Sequence, residues 1–440
     1  MIYSKYNYIF KSTKYGYLLY NAETNSFAEI DENLYNFLLR NKDNSDIKDE
    51  LDIETMDILR NAKILVDNKD KNTYFYKKKL QYNLQNYNQK ILGLVIAPTT
   101  YCNFNCFYCY EESRLPVFMD DKTIEDLIDF IHKYKNIEDV NIDWYGGEPL
   151  AAFNIIKKII ERFENEEKIK IGNHSLITNG YLLTEDKSIF FSKHPLNYVQ
   201  ITIDGIKETH DNRRKLLNGS GSTYDKIIEN IEIFFKHNKE TYVNIRVNID
   251  SSNSDDYILL YNNLKERFNN PFFDVYPAFI NDYTESCSTN CNVLNKDAIA
   301  NFYIDLHKNH QIELNYYPIL RNSGCGATRL NYFIIGPKGE LYKCWNDLGN
   351  KSRIVGSISD DKILNENILF NYLVGPTMFE DEKCKSCEIF PICWGGCQWT
   401  RIENSISNRH FDLCTMRKNN MDKLLELHYE MKLKKNLQKA

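Results

Sequence analysis

Apolar and polar positions change rhythm along the chain. Near the N-terminus, Tyr6–Lys11 reads as a strand. Gly16–Asn21 and Ser26–Ile30 flank the turn residues Glu23–Asn25, which predicts a hairpin. Asp31–Leu39 has helical spacing with Asp31 as its N-cap. Asp46–Ile64 carries two further helical stretches, including Thr55–Arg60, and Leu65–Asp67 is a candidate closing strand. Strands followed by short helices give residues 1–75 a winged-helix-like order, which also suits a cap that only stabilises the next domain. Polar, charged Lys77–Gln89 predicts a connecting segment over 76–90.

From Ile91 short apolar strands alternate with amphipathic helices. Strands are predicted at Leu92–Ile96, Val140–Trp144, Ser175–Thr178, Tyr198–Ile203, Val243–Ile249 and Phe273–Pro277. Helices are predicted between them at Thr123–Tyr134, Ile155–Glu164, Glu185–Ser192, Tyr224–His237 and Asp255–Phe268. Strand–helix alternation at this spacing implies an α/β fold with a parallel sheet, open or closed. Six repeats over 91–310 fit a partial (β/α)6 TIM-like barrel, whose ligands sit at the C-terminal strand ends. Beyond about residue 311 the alternation stops. Phe333–Ile335 and Glu340–Lys343 predict a hairpin around Pro337–Gly339, and Lys- and Leu-rich 416–440 predicts a terminal helix. The region 311–440 forms a separate cysteine-rich domain in this reading.

Composition narrows the class. The chain has 440 residues, 42% hydrophobic and 26% charged, as soluble globular proteins do. Mean hydropathy is −0.52 and no run of 18 apolar residues occurs, so no membrane helix is expected. The N-terminus has no apolar core of a secretory signal. A net charge of −6 argues against general affinity for nucleic acid or anionic membranes. The 12 cysteines, seven of them beyond residue 311, change the picture most. In a chain of this length they read as metal ligands or catalytic thiols.

The first group is Cys102, Cys106 and Cys109, spaced C-x3-C-x2-C directly after the first barrel strand. Three thiolates at this spacing can hold three irons of a [4Fe–4S] cube and leave the fourth iron open to a small molecule. Three unrelated thiols or a zinc site would use the same residues, but a structural zinc wants four ligands and no fourth lies nearby. Tyr108 precedes the last cysteine.

This segment resembles the radical S-adenosylmethionine (SAM) enzymes, and the resemblance runs along the whole barrel. Gly146-Gly147-Glu148-Pro149 ends the second strand, like the family's GGEP motif, and implies contacts to the methionine amino group of SAM. Glycines allow close backbone approach, and a carboxylate with carbonyls suits an ammonium. Thr178-Asn179-Gly180 resembles the family's T-N-G. Thr202-Ile203-Asp204-Gly205 resembles the segment near the SAM ribose, and Ile201 to Glu208 the adenine side. His210, Asp211, Arg214 and Arg246 match further common positions.

The later cysteines, Cys325, Gly339-x4-Cys344, Cys384-x2-Cys387-x5-Cys393-x3-Cys397 and Cys414, are similar to the seven-cysteine SPASM pattern. Paired zinc ribbons share the C-x2-C but not the C-x5-C-x3-C. By analogy, Cys384, Cys387, Cys393 and Cys414 hold a distal auxiliary [4Fe–4S] cluster, and Cys325, Cys344 and Cys397 a proximal one. No cysteine follows in Gly326–Asn331 as it does in some relatives. The proximal cluster then has an open iron, or Cys287 or Cys291 reaches it; loop thiols are the plainer reading of these two.

The resemblance implies three [4Fe–4S] clusters, SAM, and hydrogen abstraction by a 5′-deoxyadenosyl radical. It implies a low-potential donor such as flavodoxin or ferredoxin and a reducing cytoplasm. SPASM enzymes act mostly on peptides or proteins. The winged-helix-like module suits recognition of a precursor peptide's leader by strand addition. That favours a ribosomal-peptide (RiPP) maturase forming a cysteine thioether cross-link, of the sactipeptide or ranthipeptide type. The competing reading is anaerobic sulfatase maturation, an oxidation to formylglycine. Such enzymes lack the module and carry Asp directly after the G-x4-C cysteine, where this chain has Trp345, with Asp347 two residues on. Epimerisation, carbon–carbon cross-linking and a non-enzymatic electron carrier stay open. Candidate general bases are Asp347 and Asp204, Glu148 being assigned to SAM. An iron-bound thiolate needs none.

Overall fold

A computed structural model describes residues 1–44, 46–47, 51–109, 111, 116–281 and 291–437. It divides into two compact units, one of Met1–Tyr87, Asn295–Cys325 and Val374–Ala440, the other of Asn88–Leu294 and Gly326–Leu373.

The second unit is built on one nine-stranded sheet. Strands β1 (Ile91–Ile96), β2 (Asp139–Trp144), β3 (Ile171–Thr178), β4 (Tyr198–Thr202), β5 (Tyr242–Ile249) and β6 (Phe273–Phe279) lie side by side in chain order. All five pairings between them are parallel. No pairing joins β1 to β6 among the described residues, and the free edge of β1 is taken by Tyr332–Ile335, parallel to it. The six strands are therefore an open α/β sheet of partial-barrel order. Each predicted helix is present, often starting earlier than expected: the one predicted from Thr123 spans Asp121–His132. Its start is fixed by Asp120, whose carboxylate accepts from the Thr123 N–H at 2.8 Å.

Strand alternation sets the two faces. In β5 the side chains of Val243, Ile245, Val247 and Ile249 are buried, while Tyr242, Asn244, Arg246 and Asn248 are half-buried on the opposite face. Helix Phe153–Glu164 buries Ile156, Ile159, Ile160 and Phe163, a 3–4 spacing along one face. The hairpin predicted at 333–343 forms as Tyr332–Ile335 against Glu340–Tyr342. The glycine within β1 has a local cause. A Cβ on Gly93 would lie 2.5 Å from the Tyr332 ring.

The first unit holds Asn7–Ser12, Gly16–Asn21 and Ser26–Ile30 as an antiparallel three-stranded sheet. Helices Glu32–Arg40 and Ile53–Asn61 follow, each capped by an aspartate. Leu65–Val66 pairs with Ile2–Tyr3, a strand the sequence pattern does not predict. The segment expected as a linker over 76–90 is mostly helix, Thr73–Asn86. It buries Phe75 and Tyr82 beside Tyr6, Tyr20, Phe379, Phe390, Trp394 and Leu425. Residues 1–75 thus share a core with the C-terminal cysteine-rich segment. The terminal helix spans Met421–Leu437. Among the described residues no helix is long and apolar enough to cross a membrane.

Candidate active site

In the second unit the three-cysteine loop leaves the C-terminal end of β1, and the GGEP residues leave β2 beside it. Their contact is backbone to backbone. A Cβ on Gly146, which has φ +116°, would stand 2.4 Å from the Thr99 carbonyl oxygen; one on Gly147 would stand 2.5 Å from those of Thr100 and Tyr101. The Gly147 N–H donates to Thr99 O at 3.2 Å and the Glu148 N–H to Tyr101 O at 2.8 Å. Only glycine fits this junction.

The Glu148 side chain is fully buried. Its carboxylate accepts from Leu150 N at 3.0 Å, Thr178 Oγ1 at 2.7 Å and Asn179 N at 2.8 Å. Burial pushes its acidity toward the neutral form, and the bonds from Asn179, Thr178 and Leu150 oppose that. Glu148 therefore ties the end of β2 to the end of β3. Pro149 opens a short 3-10 turn, Pro149–Ala152. Asn179 extends the tie to the cysteine loop: its Nδ2 donates to Asn103 Oδ1 at 2.7 Å and lies 4.0 Å from Cys102 Sγ.

The loop is held from the other side by the segment after helix α1 (Lys207–Arg213). Asn105 N donates to Lys215 O and Leu217 N to Asn103 O, both at 2.8 Å, around a Phe104–Leu216 bridge. The Tyr108 hydroxyl donates to Asp204 and accepts from Arg214 Nη1 at 2.6 Å and Asn248 Nδ2 at 3.3 Å. Asp204 is fully buried and pairs with Arg213 at 3.6 Å, which also meets Asp250 at 3.3 Å. Its carboxylate thus serves Tyr108 and Arg213. Thr202 stands opposite Arg246 in the β4–β5 register, and Arg246 Nε donates to Asn248 Oδ1 at 2.8 Å.

The donor set suits an iron–sulfur cluster. Cys102, Cys106 and Cys109 are not disulfide-bonded. Burial pushes the Cys102 thiol up, and Glu148, Cys106 and Cys109 add to that while the Phe104 N–H opposes it. Metal binding removes such a proton. The Phe104 N–H meets Cys102 Sγ at 3.4 Å, the kind of donor that cluster sulfurs accept from.

Around the hairpin, Lys343 is fully buried and donates to Arg329 O and Tyr332 O, each at 2.6 Å. Next to it, Cys344 is half-buried. Asp347 is buried and accepts from the Tyr372 hydroxyl at 2.7 Å. Burial, then Cys344 and Asp347, push the Tyr372 hydroxyl far above its ordinary range.

In the first unit, Cys384, Cys387, Cys393 and Cys414 gather. Cys414 is pushed up by burial and then by the charges of Asp412, Cys393 and Cys387, while Cys384 is pushed up to about 11 by burial against the pull of Arg401. Each of three sulfurs has a donor: Arg401 Nη2 at 3.5 Å from Cys384, Lys418 Nζ at 3.5 Å from Cys387 and Thr415 Oγ1 at 3.8 Å from Cys393. Trp394, Gly395 and Gly396 take positive φ in succession, +54°, +69° and +77°. They turn the chain between Cys393 and Cys397. Cys325 and Cys397 are exposed. Cys287 lies outside the described residues, and Cys291 is disulfide-bonded, so it offers no thiolate ligand here. Sequence reasoning missed Arg213, Asn248, Asp250, Arg401 and Lys418, which touch the site only through the fold.

Comparison with known proteins bears on this arrangement. The family model of the radical SAM superfamily matches residues 96–260, from the end of β1 past β5. Residues 96–260 are a radical SAM domain. The protein is an enzyme of that superfamily. It is 23% identical to the radical SAM cyclopropyl synthase TigE of Paramaledivibacter caminithermalis, over 90% of this chain and 89% of that one. It is 28% identical to a cysteine-type anaerobic sulfatase-maturating enzyme of Clostridium perfringens, over 70% of this chain and 90% of that one. Its fold is similar to Streptococcus suis SuiB bound to precursor peptide SuiA, with TM-score 0.52 and 18% identity over 94% of this chain and 99% of that one.

Proposed function

We propose that this radical SAM enzyme matures a ribosomally made precursor peptide, forming a cysteine thioether cross-link. Cys102, Cys106 and Cys109 would hold the cluster that binds SAM. Tyr108, Gly146, Gly147, Glu148, Pro149, Thr178, Asn179, Thr202, Asp204 and Arg246 would shape the SAM site. Held there, a reduced cluster with SAM would supply the radical chemistry for hydrogen abstraction. The residues derived above do the rest. The glycines leave room for the methionine end against their carbonyls, and Glu148 and Asn179 fix the strand ends around it.

A distal auxiliary cluster on Cys384, Cys387, Cys393 and Cys414 is supported by their grouping and by Arg401, Lys418 and Thr415 at the sulfurs. A proximal one on Cys325, Cys344 and Cys397 rests on the sequence pattern alone. Flavodoxin or ferredoxin would deliver electrons in a reducing cytoplasm.

The observation that carries the peptide reading is the span of the likeness. The match to TigE covers 90% of the chain, too much to leave out all of positions 1–75, whereas the sulfatase-maturating enzyme matches 70%. The three-stranded sheet of that segment would receive the leader as an added strand. Carbon–carbon bond formation is the second reading, favoured by the name of TigE as a cyclopropyl synthase. Formylglycine formation is third: Trp345 follows Cys344 where those enzymes carry Asp.

The test uses reduced, reconstituted enzyme, SAM and the Cys-containing peptide encoded beside its gene. Loss of a hydrogen pair with a blocked thiol establishes the thioether. The same mass loss with a free thiol establishes carbon–carbon closure, and an unchanged mass with deoxyadenosine release refutes cross-linking of that peptide.

A further inference from the structure

The charge of Arg214, one of a buried arginine pair at the end of α1, has no ion-pairing role in the site as derived above. Arg213 and Arg214 are 7% and 8% exposed. Between them they cover every aromatic side chain of the three-cysteine loop. Arg214 lies 5.5 Å from the Phe104 ring, and Arg213 lies 5.0 Å from that of Phe107 and 5.5 Å from that of Tyr108. Guanidinium groups at such distances attract ring faces.

The two arginines differ in their counter-charges. Arg213 pairs directly with Asp204 and Asp250. Arg214 forms no ion pair with a carboxylate among the described residues; its Nη1 bonds the neutral Tyr108 hydroxyl, which in turn donates to Asp204, and its buried Nε has no partner. A buried cation without a carboxylate is costly unless an anion lies nearby. A thiolate-ligated cluster carries negative charge of the kind this cation calls for.

We propose that Arg214 is a positioning residue whose buried charge faces the cluster on Cys102, Cys106 and Cys109 and raises its reduction potential, with Asp204 as the opposing charge. The inference rests on the cluster assignment made under Proposed function. Adding an electron to the cluster is favoured by a nearby fixed cation and disfavoured by a nearby fixed anion, and both act strongly in a dry site. Asp204 and Arg214 are joined through one tyrosine hydroxyl, so a purely mechanical role would make their losses alike. A charge role makes them opposite.

The experiment titrates the potential of the cluster in the full-length holoenzyme by electron paramagnetic resonance, following the signal that changes on adding SAM. Arg214→Met should lower the reduced-to-oxidised ratio at fixed potential about tenfold, ~59 mV for one electron. Arg214→Lys should stay near wild type, and Asp204→Asn, which keeps an acceptor for Tyr108, should shift the ratio upward. An unmoved Arg214→Met, or shifts of the same sign in Arg214→Met and Asp204→Asn, overturns the proposal while leaving the cluster in place. If Arg214→Met assembles no SAM-responsive cluster, Asp204→Asn decides: an upward shift supports the charge role, and any other result overturns it. A wild type with no SAM-responsive signal overturns the cluster assignment itself and this inference with it.

Discussion

Glu148→Gln separates two roles for the GGEP carboxylate. The structure gives it three donors: Leu150 N and Thr178 Oγ1 on one oxygen, Asn179 N on the other. A glutamine oxygen placed toward Leu150 and Thr178 keeps both bonds and turns its NH2 toward the Asn179 N–H, two donors face to face. The loss is one hydrogen bond to a charged group, about 1.5–3 kcal/mol, and an orphaned buried N–H worth about 1–3 kcal/mol. Removing a buried charge offsets part of this, since burial already weakens the carboxylate. A net destabilisation of about 1–3 kcal/mol is expected. Denaturant unfolding of the metal-free protein would show it as a lower midpoint at unchanged slope. Thr178→Ala should lose less. Because the two side chains touch, the double variant should fall short of the sum by at least about 0.5 kcal/mol. SAM affinity, measured anaerobically by equilibrium dialysis on the reconstituted enzyme, should fall at least about tenfold, as about 1.4 kcal/mol of lost preorganisation implies. Stability within about 0.5 kcal/mol of wild type together with weakened SAM binding would refute the strand-tie role and leave a direct contact to SAM; neither effect would refute both.

Further outcomes are expected elsewhere in the molecule. His174 is buried, accepts from Trp144 Nε1 at 2.7 Å through Nε2 and meets Pro195 O at 3.1 Å through Nδ1, and burial lowers its pKa to about 4. The folded state therefore favours neutral imidazole, so this contribution is full above the unfolded pKa of ~6.5 and is lost by about 1.4 kcal/mol per unit as pH falls toward 4; His174→Gln should flatten that slope in pH-dependent unfolding. Gly396→Ala should cost more than about 1–2 kcal/mol, the left-handed penalty alone, because its Cβ would meet Leu413 O at 2.1 Å beside Cys414; iron analysis should show about four irons lost per chain. Anaerobic iron and sulfide analysis of the wild type should approach about twelve of each, and about four would refute the auxiliary clusters. Deleting residues 1–75 should abolish binding of the leader peptide, measured by fluorescence anisotropy, and unchanged affinity would reduce that segment to a cap.

The sequence displayed what repeats locally. Alternation in β5 and the 3–4 spacing of Ile156, Ile159, Ile160 and Phe163 follow from strand and helix geometry, so six strands and their helices were legible. The C-x3-C-x2-C and C-x2-C-x5-C-x3-C runs and Gly146–Gly147 were legible because each lies within a short stretch of chain. The helix over Thr73–Asn86 was not, because its polar surface gives little helical periodicity while its packing partners Phe379, Phe390 and Leu425 lie near the other end of the chain.

By itself, then, the chain displayed its local elements and its candidate metal and SAM motifs, as far as these depend on neighbours within a few positions. The fold alone decided what surrounds them. It laid Tyr332 over Gly93, made Asp204 the buried partner of Tyr108 and Arg213, and set Arg214 against the cysteine loop from a distant part of the chain. Such contacts reflect which strands become neighbours in a sheet, and that choice minimises exposed apolar area over the whole domain, a quantity no short window of sequence contains.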